Sequence, residues 1–329
     1  MGINLKNLSD GELIRRLRGG DKPIASKLIS LAEDPTEDHT PLEEVYKEYR
    51  GDAHIVGLIG PFGVGKSTLI NRLIGAYRKK NYKVGVIAID PTSPLSHGAL
   101  LGDRVRMQDH ANDKDVFIRS MASRGGYGAV PQGVGAAIKI MDIFGCDIIF
   151  LEGVGAGQLD ISPARYVHTV VVVVGPMMGD DIQMMKGGVT EYADIYAVNK
   201  ADDPKSETAV QVIKEALRYS SVEKEFQPKI VKTVATSGDG VGELASAIEE
   251  HKRFIDERGG YGRREEQLRS ELRDMIVTDL VARMQEELKD ERIQQIFEDV
   301  VDREMSTYLA CKKCIDFIGG IRSGKSRGI

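Results

Sequence analysis

Seven short apolar runs of strand length, spaced by helical or Gly-rich segments, constrain this chain more than any other feature. They cover residues 54–59, 83–89, 116–118, 147–151, 169–174, 195–199 and 230–235. Because the apolarity is continuous, not alternating, each run is predicted to be a strand buried on both faces, which requires a mostly parallel sheet covered by helices. The expected fold class is α/β, a doubly wound sheet. The 329 residues suffice for one such domain with helical additions.

Before the first run, Leu13 and Leu17, then Ile24, Leu28 and Leu31, then Leu42, Val45 and Tyr49 recur at helical spacing, predicting short amphipathic helices that cap the main fold. After Gly259-Gly260 the strand signals stop. Leu268, Leu272, Met275, Ile276, Leu280, Met284 and Leu288 follow at three- and four-residue steps. A second amphipathic stretch runs through Ile293, Phe297, Val300, Val301, Leu309 and Ile315, so two long helices are predicted. The expected organisation is a helical segment 1–50, an α/β domain 51–258, a helical extension 259–318 and a tail 319–329.

Lys and Arg number 45 against 50 Asp and Glu, a net charge of −5, so no basic field attracts nucleic acid or anionic lipid. Neither partner is expected, and any polyanion must be held locally. Three cysteines cannot build a disulfide framework. The start, Met1 to Lys6, lacks an apolar signal core, and the longest aliphatic run, 170–174, is too short to span a bilayer. A soluble, cytoplasmic protein is expected.

Gly60-Pro61-Phe62-Gly63-Val64-Gly65-Lys66-Ser67 has the form G-x-x-x-x-G-K-S and sits between the strand run 54–59 and a helical stretch 68–79. That is the context of a phosphate loop: glycines let backbone N–H groups converge on a phosphate, and the helix N-terminus adds favourable partial charge. Lys66 would reach the β- and γ-phosphates and Ser67 would place its hydroxyl on Mg²⁺. A second match, Gly319 to Ser326, follows a helical stretch and leaves three residues after it, so it reads as a coincidence of a Gly-rich basic tail.

Asn199-Lys200-Ala201-Asp202 ends the sixth run with the form N-K-x-D. A carboxylate at Asp202 can accept from both the ring N–H and the exocyclic amine of guanine, a donor pair that adenine lacks. The expected nucleotides are GTP and GDP. At the next strand end, Ser237 reads either as part of a loop whose N–H meets the guanine carbonyl or as an ordinary turn residue.

Asp90 and Glu152 end the strand runs nearest the phosphate loop. Ligands of open α/β sheets bind beyond the carboxyl ends of strands, so both acids would face the phosphates and hold Mg²⁺ directly or through water. In Glu152-Gly153-Val154-Gly155 the Gly155 amide is placed to sense a γ-phosphate, making 154–160 a candidate switch loop. Gln158 either orients the attacking water or bonds backbone, and Arg124 either stabilises phosphate charge or anchors its loop. Lys66, Glu152 and Gln158 are the catalytic candidates. Cys311-Lys312-Lys313-Cys314 is half a zinc pattern without a second pair and reads as a helical pair of small side chains. The six histidines are scattered, which counts against a nickel-inserting GTPase.

Taken in order, Gly60 to Thr68, Ala88 to Ser93, Leu101 to Met107, Ser123-Arg124-Gly125, Glu152 to Gln158 and Ala193 to Asp202 resemble the MeaB/ArgK family of P-loop GTPases. The family's members act as GTP-dependent chaperones of adenosylcobalamin-dependent acyl-CoA mutases such as methylmalonyl-CoA mutase. The resemblance implies that Asp90, Asp103 and Glu152 surround Mg²⁺, that 91–108 and 154–160 are switches, and that 179–188 is a third loop facing the mutase. It also implies a homodimer formed through the C-terminal helices. Gly153 stands where the family usually has Thr, Leu159-Asp160 where it has Ser-Glu, and only Lys186 remains of two adjacent lysines in the third loop. The contrasting expectation is a regulatory nucleotide-binding module, or an ATP-using kinase of an amino-acid transport system.

Overall fold

The computed structural model describes residues 5, 8–34, 37–91, 110, 112–123, 130–131, 133–153, 162–176, 189–219, 224–259 and 261–322. Helices α1 (Asp10–Arg18), α2 (Lys22–Glu33) and α3 (Thr40–Lys47) precede strand β1 (His54–Ile59) and helix α4 (Lys66–Arg78). Then come β2 (Val84–Pro91), β3 (Val116–Ser123), α5 (Val134–Ile143), β4 (Ile148–Glu152) and β5 (Thr169–Val174). The domain continues through β6 (Ile195–Asn199), α6 (Ser206–Tyr219), β7 (Lys229–Thr233) and α7 (Val241–Glu257). Three helices follow, α8 (Tyr261–Glu287), α9 (Glu291–Val301) and α10 (Thr307–Arg322).

The seven strands form one sheet in the order β3-β2-β4-β1-β5-β6-β7, and every neighbouring pair is parallel. All residues of β1, β4, β5 and β6 are buried, which is why those runs carry no polar alternation. Period-two geometry sorts them onto two faces. Ile55, Ile59, Ile87, Ile149, Leu151, Val172 and Val198 pack with Leu17, Ile24 and Leu28 of the N-terminal helices and with Ile140 and Phe144. On the other face, Val56, Leu58, Val86, Phe150 and Val173 pack with Leu69, Leu73 and Tyr77 of α4 and Leu244 and Ile248 of α7. Truncating a fully buried leucine such as Leu58 to alanine costs about 2–5 kcal/mol.

The N-terminal helices therefore share the core of the sheet. Asp21 caps α2 by accepting from Ile24 N at 3.1 Å and is held by Arg16. Asp142 of α5 accepts from Ala53 N at 2.6 Å and Gly51 N at 3.2 Å, fixing the entry into β1. Burial pushes its carboxyl above the ordinary carboxylate range.

By internal packing the chain divides into Met1–Glu271 and Leu272–Ile329. Within the first unit, Lys139 of α5 pairs with Glu271 at 2.7 Å and lies 4.7 Å from the centre of the Tyr46 ring. In the second, Ile293, Cys314 and Ile318 form a small core with Leu288, Ile296 and Phe317. Two helices were expected after Gly260 and three are found. Asp290 caps α9 by accepting from Arg292 N, and Arg303 adopts a left-handed φ of 63° after that helix ends. Leu272, Met275, Ile276 and Leu280 of α8 are exposed.

Candidate functional site

Strand β1 and helix α4 are joined by residues 60–65, at the carboxyl end of the sheet where the chain order reverses between β4 and β5. Two glycines permit the loop's path. A Cβ at Gly60 would collide with the Val173 carbonyl oxygen. At Gly65, with φ 102°, one would collide with the Asn199 side chain. Lys66 is the first residue of α4, and its buried Nζ donates to the carbonyls of Gly60 at 2.9 Å and Pro61 at 3.0 Å, closing the loop around its own lysine. Val64 is buried, Thr68 is half-buried, and Gly63 is exposed with a φ of 76°. Phe62 is 79 % exposed at the loop's rim.

Ser67 Oγ donates to Glu152 Oε1 at 2.6 Å, both groups buried. Glu152 is the last residue of β4, and the pairing of Ala88 with Glu152 sets buried Asp90 two residues further along the adjacent strand β2. One hydroxyl and two carboxylates thus stand at the start of α4 and the carboxyl ends of the adjacent strands β4 and β2. All three offer hard oxygen donors, the set that suits Mg²⁺, and charges this deeply placed require compensation by an opposite charge or a cation.

On the other side of β1, Asn199 ends β6. Its buried Nδ2 donates to the Val64 carbonyl at 2.8 Å, and its Oδ1 accepts from Ala235 N at 3.0 Å and Thr233 Oγ1 at 3.2 Å. Lys200, at φ 58°, turns back and donates Nζ to the Gly63 carbonyl at 3.0 Å. Asp202 is exposed in the following turn. Ser237 Oγ donates to Asp239 Oδ2 at 2.7 Å and to the Val234 carbonyl at 3.3 Å, so its hydroxyl is engaged within its own turn.

Lys66, Ser67, Asp90, Glu152, Asn199, Lys200, Asp202 and Ser237 therefore gather at the carboxyl ends of β1, β2, β4, β6 and β7. Asp103, Arg124, Gly155 and Gln158, with the loops 154–160 and 179–188 and nearly all of 91–108, lie outside the described residues. Gly319 to Arg322 of the second loop-like match belong to α10, so no strand leads into it. Cys311 and Cys314 share that helix, and among the described residues no three or more His, Cys, Asp or Glu side chains come together as a metal site.

One contact was not foreseen. Arg72 of α4 donates Nε to the Ala235 carbonyl at 3.0 Å and Nη2 to the Thr236 carbonyl. Its only sequence signal is its place on the helix that opens with Lys66.

A phosphate loop between β1 and α4, with an N-K-x-D turn tied to it from the end of β6, defines a P-loop GTPase. The sequence model of the family described as Methylmalonyl Co-A mutase-associated GTPase MeaB matches residues 25–289, and the chain belongs to that family. It is 42 % identical over 314 residues to a predicted GTPase of Pyrococcus horikoshii, covering 94 % of this chain and 98 % of that one. It is 32 % identical over 257 residues to the GTPase ArgK of Escherichia coli, covering 75 % and 77 %. The fold matches the crystal structure of an LAO/AO transport system kinase with a TM-score of 0.66 and 21 % identity, over 96 % of this chain and 99 % of that one. Among the described residues no helix is long and apolar enough to cross a membrane.

Proposed function

We propose that this GTPase converts GTP and water to GDP and phosphate slowly on its own, and that the cycle gates an adenosylcobalamin-dependent acyl-CoA mutase. The observation that carries the nucleotide reading is Asn199, whose one side chain bonds both the phosphate loop at Val64 and the base-side loop at Ala235. Phosphates and base would thus be read by parts held in fixed relation, which is what positioning catalysis requires.

In this reading the amides of residues 63–68 cradle the phosphates, and Lys66 Nζ leaves its loop carbonyls to donate to the β- and γ-phosphate oxygens. Ser67, Asp90 and Glu152, with Asp103, would hold Mg²⁺. Held by them, Mg²⁺ would supply positive charge to offset the negative charge of the phosphate oxygens. Asp202 accepts from the guanine ring N–H and amine. Gly155 contacts the γ-phosphate and Gln158 orients the water that attacks phosphorus.

The mutase partner is supported by the family's description, and dimerisation through the C-terminal helices by the apolar residues that α8 exposes. A cytoplasmic location completes the proposal. The test is GTP turnover by the purified protein with and without a cobalamin-dependent acyl-CoA mutase. Slow turnover that rises on addition is expected; rapid turnover indifferent to the mutase overturns the coupling. ATP used as well as GTP would favour the transport-kinase reading instead.

A further inference from the structure

The base-side loop is gripped at a single residue from two directions. The amide N–H of Ala235 donates to Asn199 Oδ1, and the carbonyl of the same residue accepts from Arg72 Nε. Arg72 Nη2 takes the next carbonyl, that of Thr236, so one planar guanidinium spans two consecutive peptide oxygens. Both grips lead to the phosphate side of the site. Asn199 continues to the Val64 carbonyl, and Arg72 sits on α4, the helix that begins with Lys66 and Ser67. Within itself the loop is braced by Val234 N donating to Asp239 O at 2.9 Å and by the Ser237 hydroxyl, and the Ala235 side chain is buried in the core. With its hydroxyl engaged, Ser237 has its backbone N–H to offer a base carbonyl, and where that N–H points is set by the peptide planes of residues 235 and 236.

We infer that Arg72 is a positioning residue for base recognition, a guanidinium strap that fixes the Ala235–Gly238 turn relative to the phosphate helix and so sets how tightly guanine is held. The inference rests on the GTP-site reading above. It separates two contributions to affinity: the phosphate loop is closed by its own contacts at Lys66 and Asn199, whereas the orientation of the turn needs Arg72. Arg72 is exposed, so its replacement leaves no cavity.

The experiment compares the full chain with Arg72→Ala and Arg72→Lys, titrating GDP and, separately, inorganic tripolyphosphate in the presence of Mg²⁺. Loss of two hydrogen bonds from a charged donor is expected to weaken GDP binding on the order of tenfold or more in Arg72→Ala. Tripolyphosphate affinity should stay within about twofold, and the weakening should appear as a higher KM for GTP more than as a lower kcat. Arg72→Lys, able to reach one carbonyl but not both, should recover part of the loss. Equal weakening of GDP and tripolyphosphate would mean general loosening of the domain and overturns the inference. So would unchanged GDP affinity in Arg72→Ala. If the unsubstituted protein bound tripolyphosphate but did not prefer GDP to ADP, the guanine reading itself would fail, independently of Arg72.

Discussion

Asn199 Nδ2 donates to the carbonyl of Val64 at 2.8 Å across 135 residues of sequence, and the bond passes directly over Gly65. Position 65 therefore has room for a hydrogen and nothing larger. Gly65→Ala is expected to destabilise the fold by about 1–3 kcal/mol, from the left-handed backbone and from displacement of the asparagine. The contrasting change is Gly75→Ala on α4, where a Cβ meets nothing within 4 Å; it should stabilise by about 0.5–1 kcal/mol. Urea unfolding of both variants measures the difference, and equal effects would show that the loop tolerates a side chain.

Asp202→Asn exchanges a pure acceptor for a group that also donates. Guanine should lose affinity by about 100-fold, because its donors face an amide. Xanthine, which carries a carbonyl in place of the exocyclic amine, should gain. Calorimetric titration with GDP and with xanthosine diphosphate reads both arms; retained preference for guanine would move base selection away from Asp202.

Glu152 accepts the Ser67 hydroxyl and shares the buried acid pair with Asp90. Glu152→Gln keeps the volume and the acceptor but removes the charge. GTP turnover is expected to fall on the order of 100-fold, and half-maximal turnover should need more than about tenfold higher Mg²⁺ concentration. A magnesium titration unchanged in shape would dissociate this carboxylate from the ion.

At alkaline pH the interior acids become the weak point. Burial pushes the Cys146 thiol from 9.0 up to about 12, and burial with the Glu271 charge pushes the Tyr46 phenol from 10.0 up to about 12. Burial moves Tyr77 and Tyr196 upward as well. The unfolded chain releases these protons first, so their contribution is complete below pH 9 and is lost as the pH rises toward 12. Urea midpoints measured from pH 8 to 12 should decline through that window. In thiol titration at pH 8, exposed Cys311 should react in the folded protein and Cys146 only after unfolding.

Strand positions were legible because burial on both faces leaves an unmistakable apolar run: β1, β5 and β6 begin and end where their runs do. The third run ended early, at residue 118, since Arg119 and Ser120 break the apolarity. In the structure β3 runs on to Ser123, with Arg119 Nη2 donating to Glu33 and Ser30 of α2. The last run extended to residue 235, yet β7 stops at Thr233. The next two residues leave the ladder, Val234 for Asp239 and Ala235 for Asn199. Motif residues of the phosphate loop and the N-K-x-D turn could be named because their chemistry restricts residue type. Arg72 could not, because any long donor at that helical position would look the same in sequence; what distinguishes it is the pair of carbonyls opposite.

Leu13, Leu17 and Ile24 all precede residue 25, where the match to the family begins, and are buried among residues of β1, β2 and α5. A recombinant fragment cut at that boundary would leave a greasy flank of the sheet in contact with water. Such a fragment should aggregate or bind the dye ANS, whereas one beginning ahead of Leu5 should not. For dissection of this GTPase, homology marks the wrong place to cut, and the first amphipathic helix has to travel with the nucleotide-binding half.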